Sequence, residues 1–431
     1  MILEYRTNER DLVVATQVCG HWRSTLISNP SLWTCFRFTS SHDVDRTLTY
    51  LRRSKSALID VETSINSPQD FDALNWLAPH IARTKTLIIQ GFHDSIHVAS
   101  LLFRNPAPSL KYLKMHSRNG FSRLPDDFLG QQASSLRFIR FSGVCPKFES
   151  PFPLPNLTDF YLSLHEGRGL LRLGALLRFF SGCHQLRKIW IGFYGEVLRD
   201  IALAQVTSLE SLVELDYTCS PGCRILPFLR VPRLNRLRVS TRLRPGQTQR
   251  LADILPCGGH VLLAGATKMS YHSDGHSFRV DLSGNGVDLS FRTYFTRVDH
   301  IIAGWFSDET HIAFGRIEVL TVESCSTATG FPVDVSAFEK LGVLRVVAWD
   351  GQFAEGFFRL LHPYQGARTP CPSLREIQCT YPLVGLLVSL ARERKQAGYQ
   401  LGLVRLSVEY EPDLDLVEEL REHVGEVRVE G

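Results

Sequence analysis

The chain predicts an α/β fold built as an irregular solenoid of short parallel strands and helices. Two observations predict it: a pattern of apolar-x-x-apolar-x-apolar recurs along the chain, and stretches of helical spacing lie between its occurrences. A third sets the scale. At 431 residues the chain exceeds what one hydrophobic core usually supports, so it forms several compact domains or a repeat array, and the periodicity favours the array.

The pattern occurs at Leu110-Leu113-Met115, Leu136-Ile139-Phe141, Leu157-Phe160-Leu162, Leu186-Ile189-Ile191, Leu212-Leu215-Tyr217 and Leu234-Leu237-Val239. It returns at Ile317-Leu320-Val322, Leu341-Leu344-Val346, Leu374-Ile377-Cys379, Leu403-Leu406-Val408 and Val424-Val427-Val429, with starts mostly 21 to 33 residues apart. An intervening helix is predicted where Ser67 caps, Pro68 takes the first turn, and Phe71, Leu74, Leu77 and Ile81 share a face. Strand then helix, repeated, predicts a parallel sheet lined by helices on one side. Between Leu243 and Phe314 the pattern stops. There Phe278, Val280 and Leu282 face Val287, Leu289 and Phe291 across Gly284-Asn285-Gly286, which predicts a hairpin, either an antiparallel insertion or a repeat whose helix is replaced.

Side chains alternate along a strand, so the neighbours of the template residues lie on the concave solvent face. That set comprises Tyr112, Lys114, Phe138, Arg140, Asp159, Tyr161, Lys188 and Trp190, then Glu214, Asp216, Arg236 and Arg238. Aromatic and arginine side chains supply most hot-spot energy. The candidate target-binding surface is therefore Tyr112, Lys114, Phe138, Arg140, Tyr161, Lys188, Trp190, Arg236 and Arg238. Between Asp216 and Asp253 no acidic residue occurs, while Arg224, Arg230, Arg233, Arg236, Arg238, Arg242, Arg244 and Arg250 accumulate. This run reads either as a docking patch for an acidic or phosphorylated segment or as a solvated face. From Glu409 onward the chain is acidic, as a polar cap for the last repeats would be.

At the amino end, Asp11 is a good cap for a helix running to about Leu26, with Val14, Val18, Trp22 and Ala15, Cys19, Leu26 as adjoining apolar rows to be buried. Asn29 and Pro30 start a second short helix that returns Leu32 and Trp33 to the first, so that Trp22 and Trp33 anchor a small core. Asp11-Leu12, Val18-Cys19, Trp22-Arg23 and Leu32-Trp33 give this segment its character, and it resembles the second half of the F-box. The repeats lack the usual asparagine and resemble the degenerate leucine-rich repeats of large fungal F-box families, to which WFSDETHIAFGRIEVLTVES is also similar.

The resemblance implies an F-box-like head at 1–40, a connecting helix at 41–55, and a leucine-rich-repeat-like solenoid at 56–431 with a hairpin-containing stretch at about 243–314. It further implies a substrate-recognition subunit of an SCF-type E3 ubiquitin ligase. Leu12, Val18, Cys19, Trp22, Leu32 and Trp33 would bind the Skp-family adaptor, and with it the cullin complex, or form the core of the head, while the solenoid holds a target protein. The Leu-Pro-x-Glu helix that opens F-box domains has no counterpart ahead of Asp11, which implies a truncated start or a weakened adaptor contact. The alternative is a repeat scaffold not coupled to a ligase.

Other classes lose their warrant. The start MILEYRTNERD has charges where a secretory signal needs an apolar run, and YPLVGLLVSLA is too short to span a bilayer. Ten cysteines without a compact framework read as reduced thiols, so a cytoplasmic or nuclear protein with no membrane partner is expected. A net charge of +4 gives little global attraction to nucleic acid, which is not expected as a partner. No phosphate-binding loop, dinucleotide turn, serine elbow or His-Glu-x-x-His helix occurs, so no enzyme and no cofactor is expected. Cys219 with Cys223, and Cys257 with His260, do not match structural zinc spacing and read as ordinary thiols, so no metal is expected. His21, His272 and His276 have no acid or nucleophile beside them in the sequence, and Asp126-Asp127 reads as a helix start.

Overall fold

A computed structural model of the protein describes residues 9–38, 44–65, 75–92, 96, 104–118, 120, 122–125, 128–146, 148, 154–164, 172–193, 205–219, 225–242, 254–273, 277–294, 314–324, 335–348, 351–363, 369–380, 383–407 and 414–430. The chain divides into two compact units, Met1–Leu212 and Val213–Gly431. Each is mixed α/β, with a mostly parallel sheet and helices.

The first unit opens with α1 (Glu9–Val18) and α2 (Gly20–Ser28), not the single helix that Asp11 to Leu26 suggests. Cys19 is extended, at φ −157° and ψ 169°, and its Sγ accepts the Trp22 N–H at 3.5 Å, so it caps the second helix. Gly20 follows, and glycine in a helix interior costs about 1 kcal/mol, so the break falls where continuation is weakest. The break takes the expected apolar row out of the core: Val14, Val18 and Trp22 are 59%, 63% and 52% exposed. Of the two tryptophans only Trp33 anchors a core. It is fully buried, donates from Nε1 to the Leu26 carbonyl at 2.8 Å, and meets Tyr50 edge-on at 5.0 Å with the Arg53 guanidinium 4.3 Å above its ring. Tyr50 and Arg53 come from α3 (Val44–Arg53).

Strands β1 (Cys35–Phe38), β2 (Ile59–Ile65), β3 (Thr84–Gly91), β4 (Tyr112–Ser117), β5 (Phe138–Ser142), β6 (Asp159–Leu164) and β7 (Lys188–Phe193) then pair in chain order, all parallel. Leu87, Leu113, Ile139, Phe160 and Ile189 share one register line, and Ile89, Met115, Phe141, Leu162 and Ile191 another; all ten are buried. Four of these strands are each entered through a tight turn. The Leu110, Leu136, Leu157 and Leu186 N–H groups donate to the Ala107, Ala133, Leu154 and Cys183 carbonyls at 3.0–3.1 Å, and those acceptor residues are themselves buried. The working pattern is therefore one apolar position longer than the template. It pins each strand's start, and with it the register.

Beneath β6, Phe148, Phe160, Phe179 and Phe180 pack with ring centroids 5.1–6.3 Å apart, the last two supplied by α4 (Leu173–Ser181). Ser67, Pro68, Phe71 and Leu74 of the expected helix lie outside the described residues. Leu77 and Ile81 are buried as that reading requires, but Ala78–Arg83 is a 3₁₀ turn running straight into β3.

The second unit carries β8 (Glu214–Cys219), β9 (Arg236–Arg242), β10 (Lys268–Ser273), β11 (Ser277–Gly284), β12 (Val287–Tyr294), β13 (Val319–Ser324), β14 (Val343–Ala348), β15 (Glu376–Thr380), β16 (Leu403–Ser407) and β17 (Glu426–Glu430). The expected hairpin forms, with Leu282 opposite Leu289 and Val280 opposite Phe291. Asn285 and Gly286 take φ 45° and 79°, the positive values that a two-residue hairpin turn needs. It is an insertion: β12 joins β9 in parallel, β10 joins β13 in parallel, and β11 between them runs antiparallel to both neighbours. One template is out of phase. Leu401, Val404 and Leu406 are the buried set, whereas Leu403 is half-buried opposite Glu376; Val408 lies outside the described residues. At β17, Val424 is buried but Val429 is 40% exposed. Among the described residues no helix is long and apolar enough to cross a membrane.

Burial also sorts the thiols. It pushes Cys145, Cys183 and Cys379 up to about 12, whereas Cys19, Cys35 and Cys257 are exposed. Because the thiolate is the nucleophile, native protein treated with iodoacetamide near neutral pH is expected to be alkylated at the exposed three and spared at the buried three. Peptide mass mapping reads this directly, and equal labelling of Cys145 and Cys257 would contradict the core described above.

Candidate functional site

The residues between the buried register lines of the first unit form one uncovered sheet face. Tyr112, Phe138, Asp159 and Lys188 are aligned on neighbouring strands, and Lys114, Arg140, Tyr161 and Trp190 form the next line. All eight are half-buried or exposed, where parity puts them. The rings make a ladder across four strands. Tyr112 and Phe138 stack at 4.3 Å and 5°, and Phe138 meets Tyr161 diagonally at 5.3 Å and 33°. Such pairs contribute about 0.5–1.5 kcal/mol beyond area burial, so the ladder is held in place before anything docks on it. Trp190 lies over Gly192 so closely that a Cβ there would stand 2.6 Å from its Cη2.

Charge on this face is mostly positive, with Lys114, Arg140 and Lys188 against Asp159. Lys114 and Arg140 are directly opposite in register on neighbouring parallel strands, so two positive charges repel across the face. The Arg140 guanidinium sits 5.9 Å from the Tyr161 ring centroid. Burial raises the Tyr112 hydroxyl above the ordinary tyrosine range, the Arg140 charge opposes this, and Tyr161 adds to it. Asp159 accepts a hydrogen bond from Thr158 Oγ1 at 2.6 Å.

Arg236 and Arg238 belong to the second unit, and each meets a carboxylate there. Arg236 pairs with Glu214 at 3.5 Å and Asp288 at 3.2 Å, one on each neighbouring strand. Asp216, in register with Arg238, is raised by burial, with the Arg238 charge opposing. Arg224, Arg244 and Arg250 lie outside the described residues. The same holds along the sheet: Arg279 holds Asp281 at 2.7 Å, Arg405 holds Glu376 at 2.8 Å and Glu430 at 3.1 Å, and Arg428 holds Glu426 at 2.6 Å. The partners of Arg236 and Arg405 come from strands distant in sequence, which a charge run cannot show, whereas Asp281 and Glu426 lie two residues from their arginines on the same strand.

In the head, the candidate set divides. Trp33 is core, Leu12 and Leu32 are half-buried, and Val18, Cys19 and Trp22 are exposed. His272, which has no acid near it in the sequence, lies 3.4 Å from Glu323 on β13, both partly exposed. His276, Cys223 and Asp126-Asp127 lie outside the described residues, as do the side chains of Cys219 and His260. Among the described residues no three His, Cys, Asp or Glu side chains cluster as metal ligands.

Sequence reasoning missed a group of bases just ahead of the strands, Lys85, Lys111, Arg137 and Arg187, contributed by separate repeats. Counting charge over the block would have found it, since residues 84–193 contain 14 Lys and Arg against 6 Asp and Glu. In comparison with known proteins, no family model matches the chain and no curated protein matches it.

The Trp190–Gly192 contact gives a local test. Gly192→Ala is expected to displace the indole and shift its fluorescence, and the shift should vanish when Trp190→Phe is added; an unchanged spectrum in the wild-type background would show that the ring does not lie there.

Proposed function

We propose that this chain is the substrate-recognition subunit of an SCF-type E3 ubiquitin ligase, an irregular leucine-rich-repeat-like solenoid that holds a target protein on its sheet face. The observation that carries the binding role is the ladder Tyr112, Phe138, Tyr161 and Trp190, aligned on one uncovered face with Lys114 and Arg140 among the rings. Half-buried aromatics in register give a partner rigid apolar area at low entropic cost, and arginine adds directional contacts. The work of such a subunit is positioning. It raises the concentration of a target's lysines near a conjugating enzyme, and the chemistry is done elsewhere.

The link to a ligase rests on the resemblance of residues 11–33 to the second half of the F-box. It is supported by the exposure of Val14, Val18 and Trp22, large apolar side chains that a docked Skp-family adaptor would cover. Nucleic acid and membrane are not part of this reading. The scaffold alternative shares the sheet face and differs only at the head.

Co-expression with a Skp-family adaptor separates the two. The ligase reading expects stable co-purification that Trp22→Asp abolishes without lowering the melting temperature, since Trp22 is outside the core. Failure of the wild-type chain to hold the adaptor would leave the scaffold. Tyr161→Ala with Trp190→Ala should weaken target capture while lowering the melting temperature by only a few degrees, the scale of the lost ring contacts; a large stability loss would show that these rings are core.

A further inference from the structure

We infer that the first unit takes an acidic segment of its partner, laid across β3 to β7 with carboxylates on the Lys114–Arg140 pair and along the row Lys85, Lys111, Arg137 and Arg187. This rests on the reading of the same face as a protein-binding surface and names the chemistry of what binds there.

Register carries the inference. The Lys111 N–H donates to the Lys85 carbonyl at 2.8 Å, Arg137 to Lys111 at 3.0 Å, Thr158 to Arg137 at 2.8 Å and Arg187 to Thr158 at 2.8 Å. Four bases therefore stand in a row at the edge where the strands begin, each exposed, with only Thr158 interrupting. Neighbouring strands are about 4.8 Å apart, so the row spans about 19 Å, about six residues of extended chain. Among the described residues from 84 to 193 the only carboxylate is that of Asp159, and none of the six bases makes an ion pair. In the second unit, by contrast, Arg236, Arg279, Arg405 and Arg428 are each held by a carboxylate. Arginines also stand opposite arginines in the second unit, Arg279 with Arg292 and Arg405 with Arg428, but there Arg279, Arg405 and Arg428 have carboxylates beside them, whereas Lys114 and Arg140 have none, which leaves room for an external anion.

Of the polyanions that could supply it, the rings favour a peptide over a nucleic acid. Stacking of a nucleobase needs an open ring face. Tyr112 and Phe138 close one face of each ring against the other at 4.3 Å, and Trp190 turns a face to Gly192, so the ladder offers edges and grooves suited to apolar side chains between acidic ones.

The test uses the full chain and a short synthetic peptide of alternating Glu and Phe, with Gln-Phe and Lys-Phe versions and a single-stranded oligonucleotide as comparisons, read by fluorescence anisotropy. The Glu-Phe peptide should bind at least about tenfold more tightly than the Gln-Phe version, the scale of one charge-assisted contact. Added salt should erase most of that margin. Lys114→Gln with Arg140→Gln should abolish the margin and melt no lower than wild type, since it relieves a like-charge pair. Equal binding of Glu-Phe and Gln-Phe, still lost in Tyr161→Ala with Trp190→Ala, would overturn the acidic partner while keeping the face as a protein-binding surface. Tighter binding of the oligonucleotide than of the acidic peptide would also overturn it. No binding of any probe, with full-length target capture unaffected by the ring variants, would overturn the reading of the face itself.

Discussion

Unslipped parallel pairing from Asp60 to Phe193 decides which side chains of the first unit reach the core and which meet solvent, because a shift of one residue would exchange the two sets. The pairing is held from two sides. Leu87, Leu113, Ile139, Phe160 and Ile189 lose water only in the observed register, and the turns closed on Ala107, Ala133, Leu154 and Cys183 set where each strand may start. Neither device is strong alone. Repeated in successive strands, they make the face a consequence of the core.

From that constraint the charge pattern follows. A side chain on a strand has neighbours 21 to 29 residues away in the chain, so the electrostatics of this sheet are written across its strands. Bases scattered one per strand in the first unit line up as a row, while Arg236 in the second unit's arginine run is answered by Glu214 and Asp288. Exposed pairs of that kind contribute little to stability, about 0–1 kcal/mol each. Their effect here is to leave the second unit's face without spare positive charge at Arg236, Arg279, Arg405 and Arg428.

Much of this was legible in the sequence, and the exceptions have physical causes. The strand template found the buried sets and, through parity, the ring ladder, because burial on one face of a strand is a period-two signal. It lost phase at Leu401, where Leu403 mimics a template position. The hairpin was legible because Asn285-Gly286 is turn chemistry that few other structures use. The head was misread because helical spacing alone cannot see that Cys19 and Gly20 break the helix, and the break turns Val14, Val18 and Trp22 outward. The basic row was missed since local charge runs ignore register.

Cysteine pairing across β4 and β5 addresses the central claim most directly. With the exposed native cysteines replaced by serine, Lys114→Cys with Arg140→Cys should oxidise readily to a disulfide, because the two positions are register partners on one face, within the Cα separation a disulfide requires. Lys114→Cys with Ile139→Cys should not, because Ile139 faces the core. Ready bridging of the second pair in place of the first would mean that the strands pair one residue out of step.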